Sequence, residues 1–475
     1  MYDSNESVDI IVIGCGAAGL SSALSAVETA SEDGSPRPNI VVLERATREE
    51  RGGNTRWTGA YMRLVDETRV ADRFVEDMME FSDGLSDERY VRRLAREAPD
   101  TVGWVHDKGV EFDHLPIYFL TASRPRFAPV GGGAAIVDAL ADHLGKLDVP
   151  IFYETTAERI LIGEDGEITG LEVLGPGGET HRLGTKAVII ASGGFEGNRD
   201  MLSQYVGPNA TDLLTVAPGG KYNRGEGIRM ALDLGAKPAG QWDLFHAEPV
   251  DPRSSKSEAI VMTFPYGILV NKMGERFLDE GEDTVDEIYE RVTHAIFKQP
   301  DQIAFLIADK KILEIPDYRR AVYTDQNPIQ ADTISDLADR IGIDQGALNE
   351  TVTRYNAALA EDQSQFDAFE PDGLSTHGDL FPPKSNWARS IDTPPYVAYP
   401  IVASIVFTFG GIATNDEAEV VTVQDEPIPG LYAAGEVTGL YFHKYPGATS
   451  VLRCLVFGRI AGRRATRYVQ ARTSA

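Results

Sequence analysis

Cysteine is nearly missing from this chain: among 475 residues only Cys15 and Cys454 carry a thiol. Two thiols build neither a disulfide framework nor a Cys-based zinc or iron–sulfur site, and a reducing compartment fits best. Basic charge is also short. Lys and Arg number 45 against 73 Asp and Glu, a formal net charge of −28. That field repels phosphate backbones and anionic membrane surfaces, so nucleic acid and lipid headgroups are excluded as expected partners. If the substrate is an anion, a local basic cluster has to overcome it. No apolar run approaches the roughly 18 residues a membrane span requires. The N-terminus, MYDSNESVDI, lacks the basic region and apolar stretch of a signal peptide, which makes the cytoplasm the expected location. Internal repeats are absent. Low-complexity sequence is limited to Ser- and Asp-rich connectors such as 362–365.

What is present has a globular profile: 42% hydrophobic, 25% charged and 9% aromatic residues, which rules out a disordered or fibrous chain. The length exceeds a single compact core, so two domains are expected. A β-branched run over residues 9–13 ends in Gly14-Cys15-Gly16-Ala17-Ala18-Gly19, a helix-like stretch covers 20–29, a polar loop 31–39, and a second strand 40–43 closes on Glu44. This is a βαβ unit with glycines at its strand-to-helix turn. Strands 187–191, entering Ser192-Gly193-Gly194, and 430–434, entering Gly435-Glu436, read as further pieces of the same parallel sheet. Between them, residues 241–395 differ in character, with short strands at 268–271 and 303–308, polar helices and Pro-rich turns. That stretch reads as an insertion, giving a first domain over 1–245 and 396–475 and a second over 246–395.

Helix N-termini present unpaired N–H groups and partial positive charge, so Gly14, Gly16 and Gly19 predict a turn that a pyrophosphate approaches closely. Glu44 stands where a carboxylate accepts hydrogen bonds from a ribose diol. It lies 30 residues beyond Gly14, longer than the usual ~20, and the polar loop at 31–39 accounts for the excess. The alternative is an ordinary tight βα turn. Gly131-Gly132-Gly133 places Ile136 where a third glycine is needed, so no second dinucleotide fold, and hence no NAD(P)H site, is expected.

Further along come Glu44-Arg45, Arg51-Gly52-Gly53-Asn54-Thr55, Gly267-Ile268-Leu269-Val270-Asn271, Gly274-Glu275-Arg276-Phe277, Leu431-Tyr432-Ala433-Ala434-Gly435-Glu436 and Phe457-Gly458-Arg459-Ile460-Ala461-Gly462. Together these resemble the flavoprotein subunits of the fumarate reductase and succinate dehydrogenase superfamily, over nearly the whole chain. The resemblance implies an α/β fold: a discontinuous Rossmann-like FAD-binding domain with an inserted α+β capping domain. It implies FAD contacts at Gly14, Gly16, Ala17, Ala18, Gly19, Glu44, Arg45, Gly52, Gly53, Asn54, Thr55, Thr58, Gly59, Ala157, Ala191, Ser192, Gly193, Asn198, Gly435, Glu436, Gly447, Ser450 and Val451. Covalent flavin in this superfamily uses a His just after the Gly-Gly motif, where Arg56 and Trp57 stand here, so the FAD is expected to be non-covalent.

Within the superfamily the chain looks most similar to FAD-dependent tricarballylate dehydrogenases, through Val130-Gly131-Gly132-Gly133, His246-Ala247-Glu248-Pro249, Asp251-Pro252-Arg253 and Tyr445-Pro446-Gly447. That likeness implies oxidation of a carboxylate-activated CH–CH bond, with hydride passing to flavin N5, or the reverse ene reduction. Fumarate reductase's proton-donating Arg would fall near Thr284, its clamping His at Val406 or Phe407, and its second substrate Arg at Tyr445, so fumarate itself is not the expected substrate. Desaturation needs a base with a tuned pKa. Tyr445 is the first candidate, and a Tyr-Pro-Gly also lies at the flavin in 3-ketosteroid dehydrogenases; the alternative is a packed aromatic at a turn. His443 polarises a substrate carbonyl or caps the following turn, and Arg56 is expected over the flavin. Substrate contacts are expected from His246, Arg124, Arg126, Trp57 and Tyr61, with Arg63 completing a local positive set. Asp279, Glu280, Glu282 and Asp283 read as a hinge or surface feature, and no metal is expected. Electrons enter or leave through another protein or a diffusible acceptor. Two other functions remain open: a steroid- or enone-type FAD dehydrogenase, and a flavin-binding electron-transfer subunit without its own substrate.

Overall fold

The computed structural model describes residues 8–473. Residues 1–7, most of the segment read for the lack of a signal peptide, lie outside the described residues. The chain divides into two units. The first holds residues up to 115, Arg126–His246 and 406 onward, and the second holds Pro116–Pro125 and Ala247–Ile405.

The first unit is built on β1 (Ile10–Ile13), α1 (Ala17–Glu32) and β2 (Ile40–Leu43). β1 pairs in parallel with β2 on one side and with Ala187–Ile190 on the other. Ile151–Phe152 extends the sheet beyond β2, and Pro427–Ala433 extends it beyond Ala187–Ile190. Among the described residues, only the edge strand Glu419–Val421 of this sheet runs antiparallel. All four residues of β1, of β2 and of Ala187–Ile190 are buried, as a parallel sheet covered on both faces requires; these strands therefore read as continuous apolar runs. α1 starts three residues earlier than the sequence predicts, directly after Gly16. It packs along the C-terminal helix Ser450–Thr473. At Gly458 a Cβ would stand 2.1 Å from Ser21 Oγ and at Gly462 2.2 Å from Ser22 O, so the two helices meet at near backbone contact.

The second unit centres on an antiparallel sheet, Ile268–Asn271 beside Ile303–Asp309, with the latter pairing Tyr396–Val402 of the long strand Tyr396–Thr408. Ile329–Ala331 pairs that same strand. The helices Ile334–Ile341 and Gln345–Ala357 cover it with Leu337, Leu348, Val352 and Tyr355.

These boundaries depart from the predicted ones. The inserted unit ends near 405 instead of 395, because Tyr396–Val402 is bonded into its sheet. It also recruits Pro116–Pro125, where Thr121 Oγ1 accepts from Val285 N–H at 2.7 Å and Tyr118 donates to Glu248 at 3.1 Å. Arg124 and Arg126, expected to act together, therefore belong to different units.

Candidate active site

The turn after β1 is shaped by steric demand. Gly14 has φ +108°, and a Cβ there would lie 2.2 Å from Ala191 O; at Gly19 a Cβ would lie 1.9 Å from Gly14 O, inside the helix–strand contact. Gly16 differs: its nearest neighbours would be Gly52 O at 3.4 Å and Thr55 Oγ1 at 3.6 Å, so the protein leaves space there for another group. Glu44 reaches back over this turn. One carboxylate oxygen accepts from Cys15 N–H at 3.1 Å and the other from Ala46 N–H at 2.8 Å. Burial pushes its carboxyl up despite these donors, and its remaining lone pairs suit the hydroxyls of a ribose.

Gly52 (φ +108°) opens the short 3-10 turn Gly53–Trp57, which is held against the helix Gly132–Lys146. Gly133 donates to Thr58 O at 2.8 Å, and a Cβ on Gly133 would meet Thr55 O at 1.7 Å. The triple glycine thus serves close packing of this turn. A Cβ on Gly53 would meet nothing within 4 Å, while Asn54 Oδ1 and the Trp57 indole N–H are buried without partners. A cradle with space at Gly16 and Gly53 and two orphaned polar atoms fits a bound dinucleotide. Tyr61 lies across Gly59. Ala191, Ser192 and Gly193 pack against Gly14 and Asn223. Ala157 lies on the strand Thr156–Ile162, away from these loops in sequence and paired to Val173.

The Tyr445-Pro446-Gly447 turn gathers several predicted residues. The Tyr445 hydroxyl accepts from Thr449 N–H and Ser450 N–H, both at 3.0 Å, and donates to Ser450 Oγ at 3.0 Å. It thereby meets the N-terminus of the last helix, where backbone donors and the helix dipole converge. Its ring packs with buried His246 (centroids 4.5 Å apart), Phe407 and Tyr441. Arg63 donates to Gly447 O at 3.5 Å and pairs with Asp77, and Arg126 Nη1 stands 3.6 Å from where a Gly447 Cβ would be.

Several residues singled out in the sequence make other contacts in the structure. Arg56 forms an ion pair with Asp138 at 3.0 Å beside Arg51 at 2.7 Å, and both guanidinium groups act electrostatically on Cys15, so Arg56 belongs with the glycine turn. The His443 ring is half exposed and faces Asp83 at 3.7 Å, on backbone with φ +59°. Asn198 is committed to capping the helix Arg199–Tyr205 and to Arg224 O. Arg45 is committed to Tyr222 O and Glu226. Glu280 is also no surface residue: it is buried against Arg276 and Lys384.

Sequence reading missed Glu196, Asn223 and Thr408, which surround Glu436. Glu196 follows Gly193-Gly194 at the carboxyl end of a central parallel strand, the end at which open α/β sheets bind ligands; that position was the available signal. Arg453 is buried over the Tyr441 ring at 4.5 Å and donates to Thr438 O.

Residues 9–452 match the protein family described as FAD binding domain. A probable fumarate reductase of Shewanella frigidimarina is 26% identical, the match covering 98% of this chain and 76% of the relative. A 4-oxocyclohexanecarboxylate 2-dehydrogenase of Sinomonas cyclohexanicum is 29% identical over 77% of this chain and 66% of its own length. Among solved structures, the open conformation of a flavocytochrome c3 fumarate reductase superposes with a TM-score of 0.78 at 27% identity, covering 98% of this chain and 79% of that one.

Proposed function

The chain belongs to the FAD binding domain family, and from that premise we propose that it is an oxidoreductase acting on a CH–CH bond of a small carboxylate-bearing substrate, of which tricarballylate is the model compound. FAD, when bound, supplies the two-electron hydride acceptor or donor. The Gly14–Gly19 turn, Glu44 and the Gly52–Trp57 turn hold it, non-covalently, since Arg56 and Trp57 offer no histidine for attachment. The observation that carries the substrate class is the convergence of Arg63 and Arg126 on Gly447, beside His246 and Tyr445. In a chain of net charge −28, two guanidinium groups at one turn are the local set an anion needs. The Tyr445 hydroxyl, held by two backbone N–H groups and Ser450 Oγ, is the group positioned to take or return the proton. Electrons leave to, or arrive from, an external protein or diffusible carrier.

A second reading is favoured by the same Tyr-Pro-Gly turn and its aromatic surround: α,β-desaturation of a cyclic ketone. The Sinomonas relative's name joins both chemistries in one compound, a ketone that carries a carboxylate. Titrating the oxidised holoprotein with tricarballylate and following the flavin spectrum tests the carboxylate site. Arg126→Ala and Arg63→Ala should each raise the dissociation constant at least about tenfold, roughly 1.4 kcal/mol, with FAD retained. Unchanged affinity in both would remove the arginines as the anion site.

A further inference from the structure

Beneath the Gly52–Trp57 turn lies a polar cluster that the proposed chemistry does not use. Asn54 Nδ2 donates to Glu196 Oε1 at 2.6 Å and to Val406 O at 2.9 Å. Asn223 Nδ2 donates to the same Glu196 oxygen at 2.6 Å and lies 3.4 Å from Glu436 Oε2. The other Glu436 oxygen takes Thr408 N–H at 3.0 Å and the Thr408 hydroxyl at 3.3 Å. Space for this carboxylate exists because residue 194 is glycine, where a Cβ would stand 2.1 Å from Glu436 Oε1. Glu196 is 2% exposed, and its Oε2 is buried without a hydrogen-bond partner. Burial, then the Glu436 charge, pushes Glu196 well above the usual carboxylate range, and burial raises Glu436 too.

Two carboxyl groups in contact away from water hold one proton between them, since both cannot ionise at low cost. With that proton on Glu196 Oε2, which no other group occupies, Glu196 Oε1 is left to accept from both amides. Both Asn54 N–H bonds are then consumed, the amide is locked, and its Oδ1 is buried without a donor. We propose that Glu196, through a proton shared with Glu436, is a positioning residue that fixes the Asn54 amide so that Oδ1 accepts a hydrogen bond from an N–H or O–H group of bound FAD. Glu196 touches neither substrate nor reacting atoms in this role. The inference rests on FAD binding alone and asks nothing of the substrate.

The other charged and titratable groups facing the pair are Arg453 and Cys454 of the last helix, and both stay unchanged in the variants that test it. Glutamine imitates the protonated acid, its carbonyl accepting from Asn54 and Asn223 and its amide donating to Glu436; alanine removes the support. FAD affinity and the visible flavin spectrum are measured on wild type, Glu196→Gln and Glu196→Ala across pH, without substrate. Wild type should lose FAD affinity about tenfold as rising pH strips the shared proton. Glu196→Gln should bind like low-pH wild type and lack this step. Glu196→Ala should bind more weakly at every pH, with a displaced flavin band. A Gln variant that titrates like wild type, or an Ala variant with wild-type affinity and spectrum, overturns the proposal. If Glu196→Ala fails to fold, the comparison of wild type with Glu196→Gln decides alone. Failure of tricarballylate to react would leave this result untouched.

Discussion

At the residue scale, Tyr445 carries the sharpest consequence. Its hydroxyl makes three hydrogen bonds at the start of the last helix, so removing the oxygen takes away the proposed proton carrier while the ring keeps its place among His246, Phe407 and Tyr441. Tyr445→Phe is expected to slow anaerobic flavin reduction by about 10²-fold or more, with FAD content unchanged in the absorption spectrum. An undiminished rate would leave Tyr445 as a packed turn residue and the proton to His246. The glycine turn and Glu44 were legible in the sequence because they lie within one contiguous βαβ unit, where spacing alone sets geometry. Glu196 was not: its neighbours Asn54, Asn223 and Glu436, and Thr408, which bonds Glu436, come from four other segments that only the folded sheet brings together. For a related reason the Asp138 and Asp83 contacts of Arg56 and His443 were not foreseen, since both aspartates come from distant sequence.

At the scale of elements, the inserted unit depends on a buried ionic knot. Glu280 accepts from Arg276 twice and from Leu269 N–H, and Lys384 Nζ, 3.7 Å away, donates to Gly267 O. Together they tie the loop before Trp387 to the strand Ile268–Asn271. Burial draws the Lys384 ammonium down to about 8. A lysine depressed below its unfolded value of 10.5 binds protons more weakly in the native state. Its contribution to stability is therefore least at or below about pH 8 and grows as pH rises toward the unfolded value. Glu280→Ala would leave two buried cations unpaired, so a loss of about 3–5 kcal/mol is expected, seen as a melting transition lowered by several degrees. An unchanged melt would show the knot to be dispensable. The acidic run at 279–290 reads in sequence as a solvated surface, yet Glu280 and Glu290 are buried. Glu280 lies in an irregular connection whose spacing assigns no face, whereas Glu290 sits on the buried side of the helix Val285–Phe297.

For the whole molecule, four strands of the sheet assembled from both ends of the chain were readable as continuous apolar runs, three of them followed by glycine turns, whereas Ile151–Phe152 and Glu419–Val421 were not. The exact seam between units was not readable, because it depends on strand pairing at Tyr396–Val402 and on hydrogen bonds from Pro116–Pro125. No helix among the described residues is long and apolar enough to cross a membrane, and no cluster of three or more His, Cys, Asp or Glu able to hold a metal ion occurs among them. The family match spans residues 9–452, and the proposed function is flavin chemistry at a turn proposed to bind a carboxylate. Its most direct test is anaerobic mixing of the oxidised holoprotein with tricarballylate, C4-dicarboxylates, 4-oxocyclohexanecarboxylate and 3-ketosteroids, followed at the flavin absorption band in the visible. Bleaching by one or more of the carboxylates, with none from the steroids, is the predicted result. Bleaching by the steroids alone, or by no organic reductant at all, would contradict it.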